Sequence, residues 1–168
     1  MQEEKAEKIG VLFVCLGNIC RSPLAEWIFR KHVCEAGLSD AFRIKSVGTG
    51  DWHVGQSADA RMSRTAARYG VSLERHRARQ LVRKDLEDYD YVIVMDRRNE
   101  ADVRALDRSG VYQEKVHFLR AYDPEPGDYE VPDPYYGGAQ GFDHVFQIVD
   151  RSTRGLLDYL AVGLLRDS

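Results

Sequence analysis

The sequence predicts a three-layer α/β domain, a four-stranded parallel sheet with helices on both faces. Three observations predict it. Ile9–Val14 and Tyr91–Met95 are short, continuous runs dominated by apolar residues, the mark of strands buried on both faces. Segments with helical apolar spacing alternate with strand-like ones from end to end, and that order implies βαβ units and parallel pairing. The chain has 168 residues, 43% hydrophobic and 30% charged, which supports one ordinary core and leaves little room for a second. Residues 1–7 are polar and mixed in charge and read as a flexible N-terminal tail, leaving 8–168 as a single domain.

The first strand, Ile9–Val14, is followed by Ser22-Pro23, read as a helix N-cap and first helical position. Leu24, Trp27, Ile28 and Val33 give that helix an apolar stripe, and Gly37 ends it. Cys34, on its back half, reads as a core residue. Phe42–Val47 is a second strand. Ala58–Tyr69 is helical and stops at Gly70. Tyr91–Met95 is the third strand, and Asn99–Arg108 a helix ending before Gly110. Val116–Leu119 is a short fourth strand, and Phe142–Leu165 a long closing helix with apolar positions from Phe142 and Val145 to Leu160 and Leu164. Sheets of this class bind ligands beyond the carboxyl ends of their strands. That rule points to Cys15–Arg21, Gly48–Val54, Asp96–Asn99 and Ala121–Gly138.

Composition narrows the function. A formal net charge of −3 gives no global attraction to nucleic acid or anionic membrane. The longest apolar run, Ile9–Leu16, is interrupted by Gly10 and far too short to cross a bilayer, so no membrane insertion is expected. The first eight residues carry no signal-peptide pattern. Three cysteines at unrelated spacings argue against a disulfide framework, and a reducing cytoplasm is the simplest compartment. No His/Asp/Glu cluster has metal-ligand spacing, so no metal and no cofactor is expected.

The first strand runs into C-L-G-N-I-C-R-S-P, Cys15 to Pro23. A Cys followed six residues later by an Arg means little alone; its place between a buried strand and a helix carries the weight. Gly17 permits backbone angles that other residues avoid. Backbone N–H groups of such a loop can converge on an anion, and the following helix adds its positive end. A helix N-terminus and a nearby Arg lower a cysteine pKa to about 3.5–7.5, which makes the thiolate available as a nucleophile. Arg21 offers a planar fork matched to two phosphate oxygens. Phosphoryl transfer needs little beyond positioning and charge stabilisation. The pattern therefore points to attack on phosphorus by Cys15. For a general acid, the residues leave Asp51, Asp96, Asp123, Asp128 and Asp133 open; Asp133 stands between Pro132 and Pro134, which stiffen the backbone around it.

At this loop the sequence closely resembles the low-molecular-weight protein tyrosine phosphatases. The similarity continues in D-W-H-V-G at 51–55, H-R-A-R-Q at 76–80, V-M-D at 94–96 and D-P-Y-Y-G at 133–137, so it spans nearly the whole chain. The resemblance implies metal-independent hydrolysis of phosphotyrosine and small aryl phosphates through a cysteinyl-phosphate. Cys15 is then the nucleophile, Arg21 the phosphate clamp and Asp133 the general acid. Leu16, Gly17, Asn18, Ile19, Cys20 and Ser22 form the loop, with Ser22 donating to the thiolate and Ser46 and His76 helping Asn18 hold its shape. Leu16, Ile19, Trp52, Tyr135 and Tyr136 wall the cleft for the tyrosine ring. Cys20 traps an oxidised Cys15 as a disulfide. The implied partners are tyrosine-phosphorylated proteins, with inorganic phosphate as product and inhibitor.

The rivals lack their own signatures. Arsenate reductases of this fold need two further cysteines downstream, and no Cys follows Cys34. Arginine phosphatases carry Thr where this loop has Ile19, and lack the tyrosine pair. A phosphate binder built on a dead loop would lack Cys15 or the acid, and a phosphocysteine carrier has no use for Arg21.

Overall fold

The computed structural model describes residues 7–134 and 138–166. Four strands form one sheet: β1 (Ile9–Cys15), β2 (Phe42–Gly48), β3 (Tyr91–Val94) and β4 (Val116–Phe118). Their order is β2-β1-β3-β4, and every pair is parallel. The register sets Cys15 beside Gly48 and Val14 beside Val94. The chain leaves β1 toward one edge to make β2, then returns to the other side for β3. The order therefore reverses between β1 and β3, and the loop after β1 opens into the crevice created there.

Period-two alternation along β1 sorts its side chains between two cores. Val11 and Phe13 pack with residues of α1 (Arg21–Glu35), α2 (Ala60–Arg68) and α5 (Gly138–Arg166), among them Leu24, Ile28, Met62 and Val145. Leu12 and Val14 pack on the other face with Leu86 of α3 (Arg83–Asp88) and Val103 of α4 (Arg97–Leu106). The sheet is thus covered on both sides, as the continuous apolar strands require. Phe13, Leu24, Ile28 and Met62 are essentially inaccessible, and each such side chain contributes about 1.5–3 kcal/mol.

Several expectations change in detail. Helix α1 begins at Arg21, after Cys20, so Ser22 is not its N-cap. The Ser22 hydroxyl is turned inward, toward Cys15 and Asn18. Helix α2 begins later than expected because Asp59 caps it, accepting from the N–H groups of Arg61 and Met62. Asp96 likewise caps α4 through the N–H of Asn99, so that the helix starts at Arg97, two residues before expected. Helix α3 was not foreseen; six residues are too few for a helical period to show. Cys34 is exposed rather than part of the core. It follows Val33, which is buried, and one step along a helix turns a side chain about 100° away.

Candidate active site

The loop from Cys15 to Ser22 is held by its carbonyl groups. Those of Cys15 and Leu16 accept from the N–H groups of Thr49 and Gly50 in the β2 exit, that of Ile19 from Asp59, and that of Cys20 from Leu24. The Asn18 carbonyl accepts from His76 Nε2 at 2.6 Å, which places the ring proton on Nε2. No backbone N–H from Leu16 to Ser22 has a protein acceptor among the described residues. A loop with its carbonyls turned to the protein and its N–H groups left over is an anion nest, set at the N-terminal end of α1. Close approach makes this possible. A Cβ at Gly48 would lie 2.8 Å from the Leu16 carbonyl oxygen, and one at Gly17 would lie 2.9 Å from the His53 ring.

Asn18 is the keystone of the loop. It is buried with φ +55°, a left-handed conformation that a non-glycine residue keeps only when its surroundings impose it. Its Nδ2 donates to Ser22 Oγ at 2.9 Å and to Ser46 Oγ at 3.0 Å, and its Oδ1 accepts from the Arg79 N–H at 2.8 Å. Ser46 in turn donates to Glu26 Oε1 at 2.7 Å. With one Ser22 lone pair engaged by Asn18, the Ser22 proton points to Cys15 Sγ at 2.9 Å or to the Val47 carbonyl at 3.3 Å. A Cys15 thiolate can only accept, so it takes this proton as a charge-assisted hydrogen bond.

Arg21 is buried, and its Nη1 donates to Asp96 Oδ2 at 2.7 Å and to the Val131 carbonyl at 3.0 Å. Burial works against its charge, but the negative charges of Cys15, Asp96 and Asp133 hold its pKa above the ordinary arginine value. Asp96 does two jobs, since its other oxygen caps α4. Burial pushes the Cys20 thiol well above its ordinary pKa, reinforced by Cys15 and Asp59. His76 is pushed down by burial, although its bond to Asn18 opposes the shift. A neutral ring suffices for that bond.

These groups surround a pocket of about 120 Å³. Cys15 and Arg21 lie among its walls, with Leu16, Ile19 and Trp52 as apolar sides. Trp52 is 64% exposed and its ring folds over Gly50, where a Cβ would come within 1.7 Å of it. Of the five candidate aspartates, Asp133 alone lines this pocket among the described residues. Asp96 is engaged by Arg21 and by α4, and Asp123 is paired with Arg120 and Arg151.

A profile of the low molecular weight phosphotyrosine protein phosphatases matches residues 10–164. The chain belongs to this family. It is 43% identical over 149 residues to a low molecular weight protein-tyrosine-phosphatase of Streptomyces coelicolor, covering 88% of this chain and 90% of the relative. It is 38% identical over 156 residues to the human low molecular weight phosphotyrosine protein phosphatase, covering 92% and 97%. The crystal structure of the protein tyrosine phosphatase from Entamoeba histolytica with Hepes in its active site superposes with a TM-score of 0.87. That pair is 36% identical, over 93% of this chain and 99% of the other. A phosphatase of this family is therefore what the pocket belongs to.

The fold brings together the sequence-predicted loop residues Leu16 to Ser22 with Cys15, Ser46, His76, Trp52 and Asp133. Tyr135 and Tyr136 lie outside the described residues. Sequence reasoning missed three participants. Asp96 was weighed as an acid and is the partner of Arg21. Glu26 is buried one bond behind Ser46, and its place four residues before Arg30, with which it pairs, was the available signal. His53 lines the pocket against Gly17, and nothing in its local sequence separates it from an ordinary loop histidine.

Proposed function

We propose that the protein hydrolyses phosphotyrosine, and small aryl phosphates, in two steps without a metal. The Cys15 thiolate attacks phosphorus. The phenolic oxygen leaves with the proton of Asp133, and a cysteinyl-phosphate remains. Water then attacks that phosphorus, Asp133 takes a proton from it, and Cys15 leaves as a thiolate with inorganic phosphate as product and competing inhibitor. The observation that carries this reading is Cys15, bonded to Ser22 at 2.9 Å, in one small pocket with Arg21 and Asp133. Arg21 and the free loop N–H groups supply the positive field for the equatorial oxygens. Arg21 engages its known partners through Nη1, which leaves its other guanidinium nitrogens for phosphate.

Leu16, Ile19 and Trp52 suit a flat apolar ring better than a short aliphatic ester. The substrates are tyrosine-phosphorylated proteins, the site is cytoplasmic, and nucleic acid has no part in it. The N-terminal tail expected over 1–7 lies, except for Glu7, outside the described residues. Peroxide turns Cys15 into a sulfenic acid, and Cys20 displaces its hydroxyl as water to form a Cys15–Cys20 disulfide that a dithiol reduces. The deciding assay is turnover of phosphotyrosine, phosphoarginine and phosphoserine peptides side by side in EDTA. Phosphotyrosine is expected to lead, at a rate that EDTA leaves unchanged. Faster release from phosphoarginine, or loss of activity in EDTA, overturns the assignment.

A further inference from the structure

A second cleft of about 550 Å³ lies behind the phosphate loop, and its walls differ from those of the catalytic pocket. Five cationic side chains line it, Arg30, Lys45, Arg75, Arg77 and Arg79, against one carboxylate, Glu26. That excess is local, because the chain as a whole carries −3. The carboxylate is used up: one oxygen accepts from Ser46 and the other from Arg30. Arg79 is paired with Asp85, and Arg77 donates to the carbonyls of Glu74 and His76. Lys45 and Arg75 have no partner among the described residues. The cleft also holds two aromatic walls, Tyr89 and Trp27; the indole N–H of Trp27 is buried without an acceptor.

Cations gathered in a concavity repel one another, and surface cations are usually dispersed or paired. Here two are unpaired and three more stand within the same cleft. A cavity of this size fits a small organic ligand and exceeds what a single phosphate would fill. Charge and size together select a multiply charged anion. We propose that this rear cleft is a binding site for a small molecule carrying several phosphate groups, separate from the catalytic pocket. Lys45 and Arg75 make the primary charge contacts, and Trp27 lies in the wall.

The two tryptophans make the test direct, because Trp27 lines the rear cleft and Trp52 the catalytic pocket. In Trp52→Phe, Trp27 is the one remaining tryptophan, excited selectively at the red edge where tyrosine does not absorb, and inositol hexakisphosphate is the probe. Titration at physiological salt is expected to change Trp27 fluorescence with saturation. Lys45→Glu with Arg75→Glu should weaken binding at least tenfold, and the milder Lys45→Gln with Arg75→Gln should weaken it in the same direction. Two equal charge reversals outside the cleft, Arg64→Glu and Arg154→Glu, should leave it within about twofold. Saturating vanadate, which occupies a phosphate loop, should not displace the probe. No saturable change, displacement by vanadate, or equal loss in the two charge-reversed pairs overturns the proposal. Each readout is a binding measurement, so it stands or falls independently of the hydrolytic mechanism.

Discussion

The two segments that supply the proposed catalytic groups are held in different ways. The phosphate loop, Cys15–Ser22, is short, largely buried and bonded at nearly every carbonyl. Its shape is over-determined by Asn18, which sends hydrogen bonds to Ser22 and Ser46 and receives them from Arg79 and His76. The segment bearing Asp133 is more exposed, and is held by short local turns and by Arg97, Arg120 and Arg151 from outside it. Asp123 is clasped by Arg120 and Arg151, and the Val131 N–H donates to the Met95 carbonyl. The Val131 carbonyl accepts from Arg21, a contact across 110 positions of sequence. The phosphate loop is thus held along nearly its whole length, whereas the proposed acid sits on a segment tied down at separated points. Arg21 belongs to both, so it also ties the segment of the proposed acid to the loop.

The largest effect tests the rigid half. Cys15→Ser should abolish turnover while the fold and phosphate binding persist, because Ser keeps the size without the easy ionisation. Isothermal titration with phosphate and circular dichroism check the second part. Near-normal turnover would remove Cys15 from the mechanism.

Next comes the tethered half. Asp133→Ala should lose about 10²–10⁴-fold in cysteinyl-phosphate formation with phenyl phosphate, and less with p-nitrophenyl phosphate, whose leaving group needs a proton less. Single-turnover release of phenol isolates that step. The basic limb of its pH profile, where the wild-type carboxylic acid ionises, should disappear. Equal losses for both esters with an unchanged profile would assign Asp133 to structure.

Arg21→Lys joins the two halves. It should cost about 10²–10³-fold, as losing an oriented donor at a developing charge does. Lysine cannot hold Asp96, Val131 and phosphate at once. Both phosphate affinity and sensitivity to the leaving group should therefore change. A loss confined to phosphate affinity would break the idea that the clamp places the acid.

Ser46→Ala gives the smallest effect. It leaves an Asn18 donor and a buried Glu26 oxygen unpaired, and should lower stability by about 1–3 kcal/mol in a denaturant titration. Its effect on turnover should be below that of Asp133→Ala. If turnover falls as far as in Arg21→Lys, the cradle is less over-determined than its hydrogen bonds imply.

The sequence by itself determined the sheet, the helices long enough to show a period, and the loop that follows β1. Those depend on local apolar spacing and on residues close in sequence, so Cys15, Gly17 and Arg21 were legible together. Ser22 was legible as a residue of that loop but was misread as a cap, because its hydroxyl turns inward, accepting from Asn18 and facing Cys15, instead of serving the first turn of α1. The choice among five aspartates needed the resemblance, since prolines beside Asp133 could equally mark a solvated turn. Only the tertiary structure decided that Asp96 faces Arg21, that Glu26 lies behind Ser46 and that His53 closes over Gly17. It alone gathered Lys45 with Arg75, thirty residues apart, into one cleft. The physical reason is the same in each case: these contacts join residues far apart in sequence, and no local period or cap records which distant side chain a folded sheet will set beside another.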